Sequence, residues 1–201
     1  ETGMRPLLLL PEMLIFGGGL VVLIGGSFLP RQKQWWTRVV AAAVLCAAIG
    51  VAVVGMATSD QTAFEGTFAV DTATGLARIA AAVGVLMVLA VAGDEIKAAA
   101  RESETYALLL FSTTGVLVLA GADDLLVLIT GYLLASIPLY GLIGLLRSAA
   151  AAEAALKTYL IGALFGITLM LGVTVLYGVT GVTRYDELAA RLGGAPAVVV
   201  A

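Results

Sequence analysis

Charged side chains within long apolar runs are the residues of this sequence that could carry chemistry. Glu153 and Lys157 are four residues apart, with the glutamate first, at the start of such a run. On a helix this spacing places both side chains on one face, where they can form an ion pair. In a low-dielectric environment, a lysine held by a carboxylate can load and release a proton as its partner moves. The plainer alternative is a lysine at the membrane interface whose ammonium group reaches water.

The other charged positions have simpler explanations. Glu12 lies early in the first apolar run, and we expect an interfacial carboxylate near the outer face, with a functional role as the alternative. Arg78 begins the third run and is expected to extend outward to water. Asp123 and Asp124 form a two-residue turn between runs, with Asp124 placed to cap the helix that follows.

A proline interrupts the fifth apolar run. Pro138 has no N–H group, so the carbonyl of Leu134 loses its partner in the helix and the helix is expected to bend. Small neighbouring residues or water must then satisfy that carbonyl. Bends of this kind occur both in ion pathways and in ordinary helix packing, so the proline alone does not assign a function.

Composition determines the class of protein that must position these residues. Of the 201 residues, 61% are hydrophobic and 12% are charged, whereas a soluble domain has about 25% charged residues. A soluble fold could not bury so much apolar surface, which excludes an ordinary cytosolic enzyme and a disordered chain. The net charge of −3, without a basic block, gives no basis for binding nucleic acid. The absence of histidine and the single cysteine, Cys46, rule out an internal disulfide and a cysteine-based metal site.

Six apolar runs are long enough to approach the ~20 residues that cross a bilayer. They cover residues 7–29, 39–57, 76–92, 106–122, 125–146 and 155–179. A seventh run starts at Ala195 and has only seven residues, so it is either the start of a further helix or a short tail. The polar loop 58–75 suits a hairpin or short strand pair, and residues 183–192 suit an amphipathic surface helix. The sequence predicts an all-α polytopic membrane protein with one transmembrane domain over residues 1–201.

The basic residues of the loops predict the orientation in the membrane. Six lie on one side and three on the other. The six are Arg31, Lys33, Arg38, Lys97, Arg101 and Arg147, and the three are Arg5, Arg184 and Arg191. By the positive-inside rule, the first loop is cytoplasmic and the N-terminus lies outside.

Several segments between Tyr106 and Gly181 carry a family resemblance. They are residues 106–112, 136–140, 153–157, 159–163 and 176–181, and residues 10–13 near the N-terminus add to them. Together these segments resemble the membrane subunit N of NADH–quinone oxidoreductase, respiratory complex I. The segment Glu-Ala-Ala-Leu-Lys that ends at Lys157 is the most specific of them.

The resemblance implies an antiporter-like fold of inverted repeats with broken helices, in which polar residues on a central axis carry protons. Lys157 then matches a family lysine of the proton path, and Glu153 is its neighbour. The implied function couples electron transfer from NADH to quinone to proton translocation across a bacterial plasma membrane. The chain would be a non-redox subunit without a catalytic centre or cofactor of its own. Flavin, iron–sulfur clusters and quinone are expected on partner subunits, and the chain's neighbours are other membrane subunits and lipid.

One position departs from the family pattern. The family has a glutamate two residues after the glycine that matches Gly131, and this sequence has Leu133 there. An apolar residue suits packing, so Leu133 favours a non-conducting structural paralogue as one alternative. The other alternative is a cation/proton antiporter-type subunit of a related complex, either Mrp-like or of a membrane-bound hydrogenase.

Overall fold

The computed structural model describes residues 6–30, 33–57, 61–63, 67–98, 101–146 and 148–193. Within these ranges, long helices dominate and a small sheet lies between the second and third of them. A 3-10 turn, Pro6–Leu9, leads into the first helix. The helices are α1 Leu10–Phe28, α2 Trp35–Met56, α3 Thr72–Ala98, α4 Glu102–Ala120, α5 Leu125–Gly144, α6 Ala149–Thr180 and α7 Tyr185–Leu192. The strands are β1 Gln61–Ala63 and β2 Phe68–Val70.

Six of the described helices, α1 to α6, are long and apolar enough to cross a membrane, which confirms the predicted polytopic all-α class. Several of them extend beyond the apolar runs. The run 76–92 is only the middle of α3, which has 27 residues, and α6 has 32. Helix ends are set by caps and by good helix formers such as alanine, and these continue past the hydrocarbon boundary. The seventh apolar run, together with Arg5, Arg31 and Arg147 of the charge count, lies outside the described residues.

Helix α4 is the centre of the bundle. It packs against α1, α2, α3 and α5, and half of its apolar window is buried, the largest share of the six helices. Tyr106, Leu110 and Leu117 of α4 are almost fully buried against Ile15 of α1 and Leu45 of α2. Helix α6 packs mainly on α5 and is largely exposed in the described residues.

Helices α4 and α5 approach to backbone contact because glycines face the partner helix. A Cβ atom added at Gly115 would lie 2.1 Å from the backbone nitrogen of Ala135, and one at Gly131 would lie 2.8 Å from that of Leu119. In lipid, where burial of apolar surface does not drive helices together, such close packing through small residues is a main source of association.

The short sheet covers one end of the bundle. Strands β1 and β2 pair antiparallel, which confirms the predicted strand pair in the polar loop. Strand β2 continues onto the turn between α4 and α5, because the Ala69 N–H donates to the Gly121 carbonyl at 2.9 Å. Phe68 is buried against Gly121, where a Cβ atom would lie 2.2 Å from the ring. Residues Phe64 and Glu65 of this loop lie outside the described residues.

The amphipathic segment 183–192 forms the short helix α7, in which Tyr185, Leu188 and Leu192 are half-buried and the residues between them are exposed. It is held to the end of α6 by Arg191, whose Nη1 donates to the carbonyl of Thr180. Gly181 ends α6 in the left-handed conformation, with φ of 67°, and its N–H donates to the carbonyl of Tyr177. This turn reverses the chain so that α7 returns across the end of the bundle.

Candidate functional site

Glu153 and Lys157 form the ion pair that their spacing predicts. The helix that carries them begins at a cap, since the Ala151 N–H donates to Ser148 Oγ at 3.0 Å. Lys157 Nζ lies 2.5 Å from Glu153 Oε1. The two side chains are 69% and 65% exposed, so the described helices leave this face of α6 open.

The length of α6 places the pair relative to the membrane. At 1.5 Å per residue, its 32 residues are about 48 Å long, against a hydrocarbon core of about 30 Å. If the helix is centred on the bilayer, about 9 Å extends beyond the core at each end. With this centring, Lys157, about 12 Å from the start of the helix, is about 3 Å inside the hydrocarbon boundary.

Tyrosines fill the interface between α5 and α6 beside this pair. The rings of Tyr140 and Tyr159 meet edge to face, with centroids 5.8 Å apart. Tyr132 Oη donates to the carbonyl of Gly162 at 2.8 Å. A Cβ atom at Gly162 would lie 1.8 Å from Tyr140 Oη, so the Tyr140 side chain can pack here only because residue 162 is glycine. Sequence reasoning did not assign a role to these tyrosines, although they recur along the facing sides of the two helices.

The proline of α5 lies next to a polar contact from α4. Ser112 Oγ donates to the carbonyl of Ala135 at 2.7 Å, one turn before Pro138. The glycine approach at Gly115 brings α4 close enough for this bond. From the sequence, the carbonyl of Leu134 was expected to need a partner outside the helix. In the structure, the hydroxyl of Ser112 donates instead to the carbonyl of the next residue, Ala135. Leu133, at the position where the family has glutamate, is half-buried.

Arg78 and Glu12 differ from expectation. Arg78 does not extend to water, and Glu12 is not a free interfacial carboxylate. The guanidinium Nε lies 2.7 Å from Oε1 of Glu12 and Nη2 lies 3.0 Å from Oε2. The side chains are 5% and 4% exposed. The sequence interpretation treated each charge alone, whereas a two-point ion pair allows both charges to stay buried.

Further contacts complete the surroundings of Arg78. Its Nη2 also donates to the carbonyl of Leu8 at 3.1 Å, and its guanidinium carbon lies 5.6 Å from the centre of the Phe68 ring. Phe68, on β2, therefore lies over the guanidinium. An aromatic face over a cation is itself favourable.

A second polar cluster occupies the opposite end of the bundle and was missed by sequence reasoning. Arg38 Nη2 donates to the carbonyl of Leu89 at 2.8 Å, and its Nη1 lies 3.7 Å from Asp94 Oδ1. Glu102 is 4% exposed and accepts a hydrogen bond from Tyr106 Oη at 3.4 Å. The sequence did hold a signal for this cluster, because Arg38, Asp94 and Glu102 lie at the ends of apolar runs that the predicted topology places on the same side of the membrane.

The turn between α4 and α5 confirms the predicted cap. The Leu126 N–H donates to Asp124 Oδ1 at 2.7 Å, and Thr183 Oγ1 donates to Oδ2 at 2.5 Å. Burial raises the pKa of the neighbouring Asp123 carboxyl above its ordinary value, and the charge of Asp186 adds to the increase. Asp124 therefore acts structurally, in a turn that joins α5 to the start of α7.

Comparison with known proteins supports the resemblance. The family described as NADH:quinone oxidoreductase/Mrp antiporter, TM, matches residues 122–198. NADH-quinone oxidoreductase subunit N from Mycobacterium sp. (strain JLS) is 69% identical over 201 residues, covering all of this chain and 43% of the relative. Subunit N 1 from Streptomyces griseus is 39% identical over 198 residues, covering 98% of this chain and 41% of the relative. The chain thus spans about two-fifths of the length of these relatives.

Solved structures show the same fold. Respiratory complex I from Thermus thermophilus has a chain that aligns with a TM-score of 0.73 at 24% identity, covering 90% of this chain and 42% of that chain. The archaeal membrane-bound sulfane sulfur reductase aligns with a TM-score of 0.77 at 18% identity, covering 97% of this chain and 41% of that chain. The resemblance to subunit N and the antiporter-like fold are confirmed.

Proposed function

We propose that this chain, which is related over its whole length to subunit N of NADH–quinone oxidoreductase, forms part of a membrane subunit that couples NADH oxidation by quinone to proton translocation. The ion pair of Lys157 and Glu153 carries the proposal. Both of its side chains lie on one membrane-spanning helix and remain open to further parts of an assembly, at 69% and 65% exposure. The buried pair of Arg78 and Glu12 is already enclosed by the described residues.

The chemistry proposed for this pair is reversible loading of one proton. While Glu153 Oε1 stays 2.5 Å from Lys157 Nζ, the carboxylate favours the charged ammonium group. If a neighbouring charge draws Glu153 away, the ammonium group is left in a poorly solvating environment and releases its proton. A lysine just inside the boundary can therefore alternate between water and a more central acceptor. Glu12 is proposed as a fixed partner of Arg78 that takes no part in this exchange.

We further propose that the N-terminus lies outside the plasma membrane of a bacterium. This orientation places four basic residues of the described loops and helix ends on the cytoplasmic side, as the positive-inside rule favours. They are Lys33, Arg38, Lys97 and Arg101. In this orientation the pair on α6 lies near the cytoplasmic face, where protons are taken up. The strand pair and α7 then lie outside.

The partners proposed for the chain are other membrane subunits of the respiratory complex and the surrounding lipid. Flavin, iron–sulfur clusters and the quinone site are assigned to those partner subunits. The chain itself supplies helices and a proton-loading pair, and it takes part in an oxidoreductase as a non-redox component. The one-transmembrane-domain interpretation of residues 1–201 is part of the same proposal.

Purification of the complex through an affinity tag on this chain tests the proposal. The purified complex is expected to oxidise NADH with quinone as acceptor and, in vesicles, to acidify or alkalinise the lumen without a requirement for sodium. A complex that instead exchanges sodium for protons and does not oxidise NADH would support the Mrp-like alternative. NADH oxidation and sodium–proton exchange are measured on the same preparation, so an inactive preparation is recognised by the loss of both.

A non-conducting scaffold is the second candidate, and Leu133 is the observation that favours it. A half-buried leucine on α5 packs against its neighbours and cannot hold or shift a proton. The Leu133→Glu variant separates the two roles. In a conducting subunit it should preserve or raise proton translocation, whereas in a scaffold it should only disturb packing and lower the yield of assembled complex.

A further inference from the structure

An apolar groove lies between α1 and α2, at the end where the chain passes from one helix to the other. Its volume is about 420 Å³, within the ~300–1,000 Å³ typical of small-molecule sites. Residues that line it include Val21, Gly25, Leu29, Lys33, Trp36 and Val40. Neither the pair on α6 nor the buried pair of α1 and α3 contributes to it.

The groove is apolar because its one hydroxyl-bearing wall residue is already satisfied. Thr37 Oγ1 donates to the carbonyl of Gln34 at 2.5 Å, so it offers no hydrogen atom to an occupant. Gly25 lines the groove and has open space beside it, since a Cβ atom there would meet nothing within 4 Å. The adjacent Gly26 is different, because a Cβ atom there would lie 2.1 Å from Ser103 Cβ. Helix packing thus requires glycine at position 26, while position 25 faces open space.

One charged and one aromatic residue are among those that line the groove. Lys33 is exposed there, next to Trp36, whose indole ring lies 4.9 Å from that of Trp35. Indole rings favour the headgroup layer of a bilayer, and a lysine between membrane helices attracts anionic headgroups. The site therefore combines a lysine with an apolar lining and with indole rings of the kind that favour the headgroup layer.

We propose that this groove binds an anionic phospholipid, with one acyl chain between α1 and α2 and the headgroup phosphate at Lys33. The inference depends only on the membrane placement of the helices and is independent of proton translocation. Charge complementarity selects the headgroup and the apolar lining selects the acyl chain. A protein segment or a quinone tail would use the apolar lining but would not need the lysine.

The test uses the protein extracted from its membranes in mild detergent, delipidated, and titrated with dioleoyl phosphatidylglycerol or dioleoyl phosphatidylcholine while bound lipid is counted by native mass spectrometry. Gly25→Leu adds a side chain at a lining position where a Cβ atom meets nothing within 4 Å, and it should weaken phosphatidylglycerol binding about tenfold. Gly17→Leu is the matched control, because a Cβ atom at Gly17 also meets nothing within 4 Å and Gly17 does not line the groove. This control should bind like the unmodified protein.

The headgroup is tested separately. Lys33→Gln should weaken phosphatidylglycerol binding about fivefold and leave phosphatidylcholine binding unchanged, whereas Lys97→Gln should change neither. Equal binding by the Gly25→Leu and Gly17→Leu variants would overturn the proposal. So would equal binding of the two lipids by the unmodified protein, or retention of a quinone or a partner helix in the groove in place of phospholipid.

Discussion

Arg78 of α3 and Glu12 of α1 join two helices across 66 positions of sequence through a buried, two-point ion pair. The pair lies beneath the Phe68 ring and next to the carbonyl of Leu8, so all of its partners belong to one end of the bundle. In an apolar environment neither charge would be tolerated alone. The pair is therefore a structural connection between α1 and α3, and its energetics can be measured.

Removal of one partner should strongly destabilise the protein. Arg78→Met leaves the Glu12 carboxylate buried without its cation, and we expect a loss of about 3–5 kcal/mol in the free energy of unfolding. The double variant Glu12→Leu/Arg78→Met should recover most of that loss, because it removes both charges. Thermal and denaturant unfolding in detergent, followed by circular dichroism, measures both. The single variant Glu12→Leu completes the comparison. If the loss in the double variant equals the sum of the losses in the two single variants, the two residues are not coupled.

The cap of α5 should account for a smaller part of the stability. Asp124→Ala removes the acceptor for the Leu126 N–H and the Thr183 hydroxyl, so the free energy of unfolding should fall by about 1–2 kcal/mol. Asp124→Asn keeps an oxygen acceptor and should lose less. Asp123→Ala is the control, because the hydrogen bonds of Asp123 to Thr67 and Tyr185 use its backbone. A larger loss in Asp123→Ala than in Asp124→Ala would contradict the assignment.

The close approach of α4 and α5 should not tolerate a side chain at position 115. Gly115→Val puts atoms into the backbone of α5, with Cβ 2.1 Å from the Ala135 nitrogen, and should cost about 1–3 kcal/mol or more. Gly172→Val on α6 is the matched control, since a Cβ atom there meets nothing within 4 Å. Melting temperatures of the two variants in the same detergent provide the comparison. Equal melting temperatures would show that the helices are not packed at Gly115.

The start of α3 should respond to acid. The Thr74 N–H donates to Asp71 Oδ1 at 2.7 Å, and this bond lowers the pKa of Asp71 below its ordinary value of 3.8. A lowered folded-state pKa stabilises the fold at pH values above the unfolded-state pKa, and the gain disappears as pH falls through the folded-state pKa. Amide exchange at Thr74, corrected for its intrinsic rate, should thus show constant protection down to about pH 4 and weaker protection below. Asp71→Asn should remove this pH dependence, and an unchanged acid response in that variant would argue against the cap.

Local relationships were the part that the sequence could predict. The pairing of Glu153 with Lys157 depends on four residues of helix, and the cap at Asp124 depends on two, so spacing alone was sufficient. The number and order of membrane helices followed from hydropathy in the same way. The helix ends did not, because the alanine-rich start of α6, before its apolar run, is set by the cap at Ser148 and not by the lipid boundary.

Long-range relationships were beyond the same reasoning. Arg78 stays buried because of two residues far from it or outside its helix, Glu12 on α1 and Phe68 on β2. Hydropathy treats each charge alone and therefore predicted exposure. The groove at Gly25 also depends on the angle between two helices, which no single-helix pattern contains.

The proton-loading role of Lys157 is tested most directly by the number of protons translocated per NADH oxidised in membrane vesicles. Lys157→Ala should lower this ratio while the rate of NADH oxidation with an uncoupler and the subunit composition stay unchanged. Lys97→Ala, which removes a lysine from the last turn of α3, should leave the ratio as it is. We expect the ratio to fall only in the Lys157 variant, and an unchanged ratio in an assembled Lys157→Ala complex would contradict the proton-loading role of Lys157.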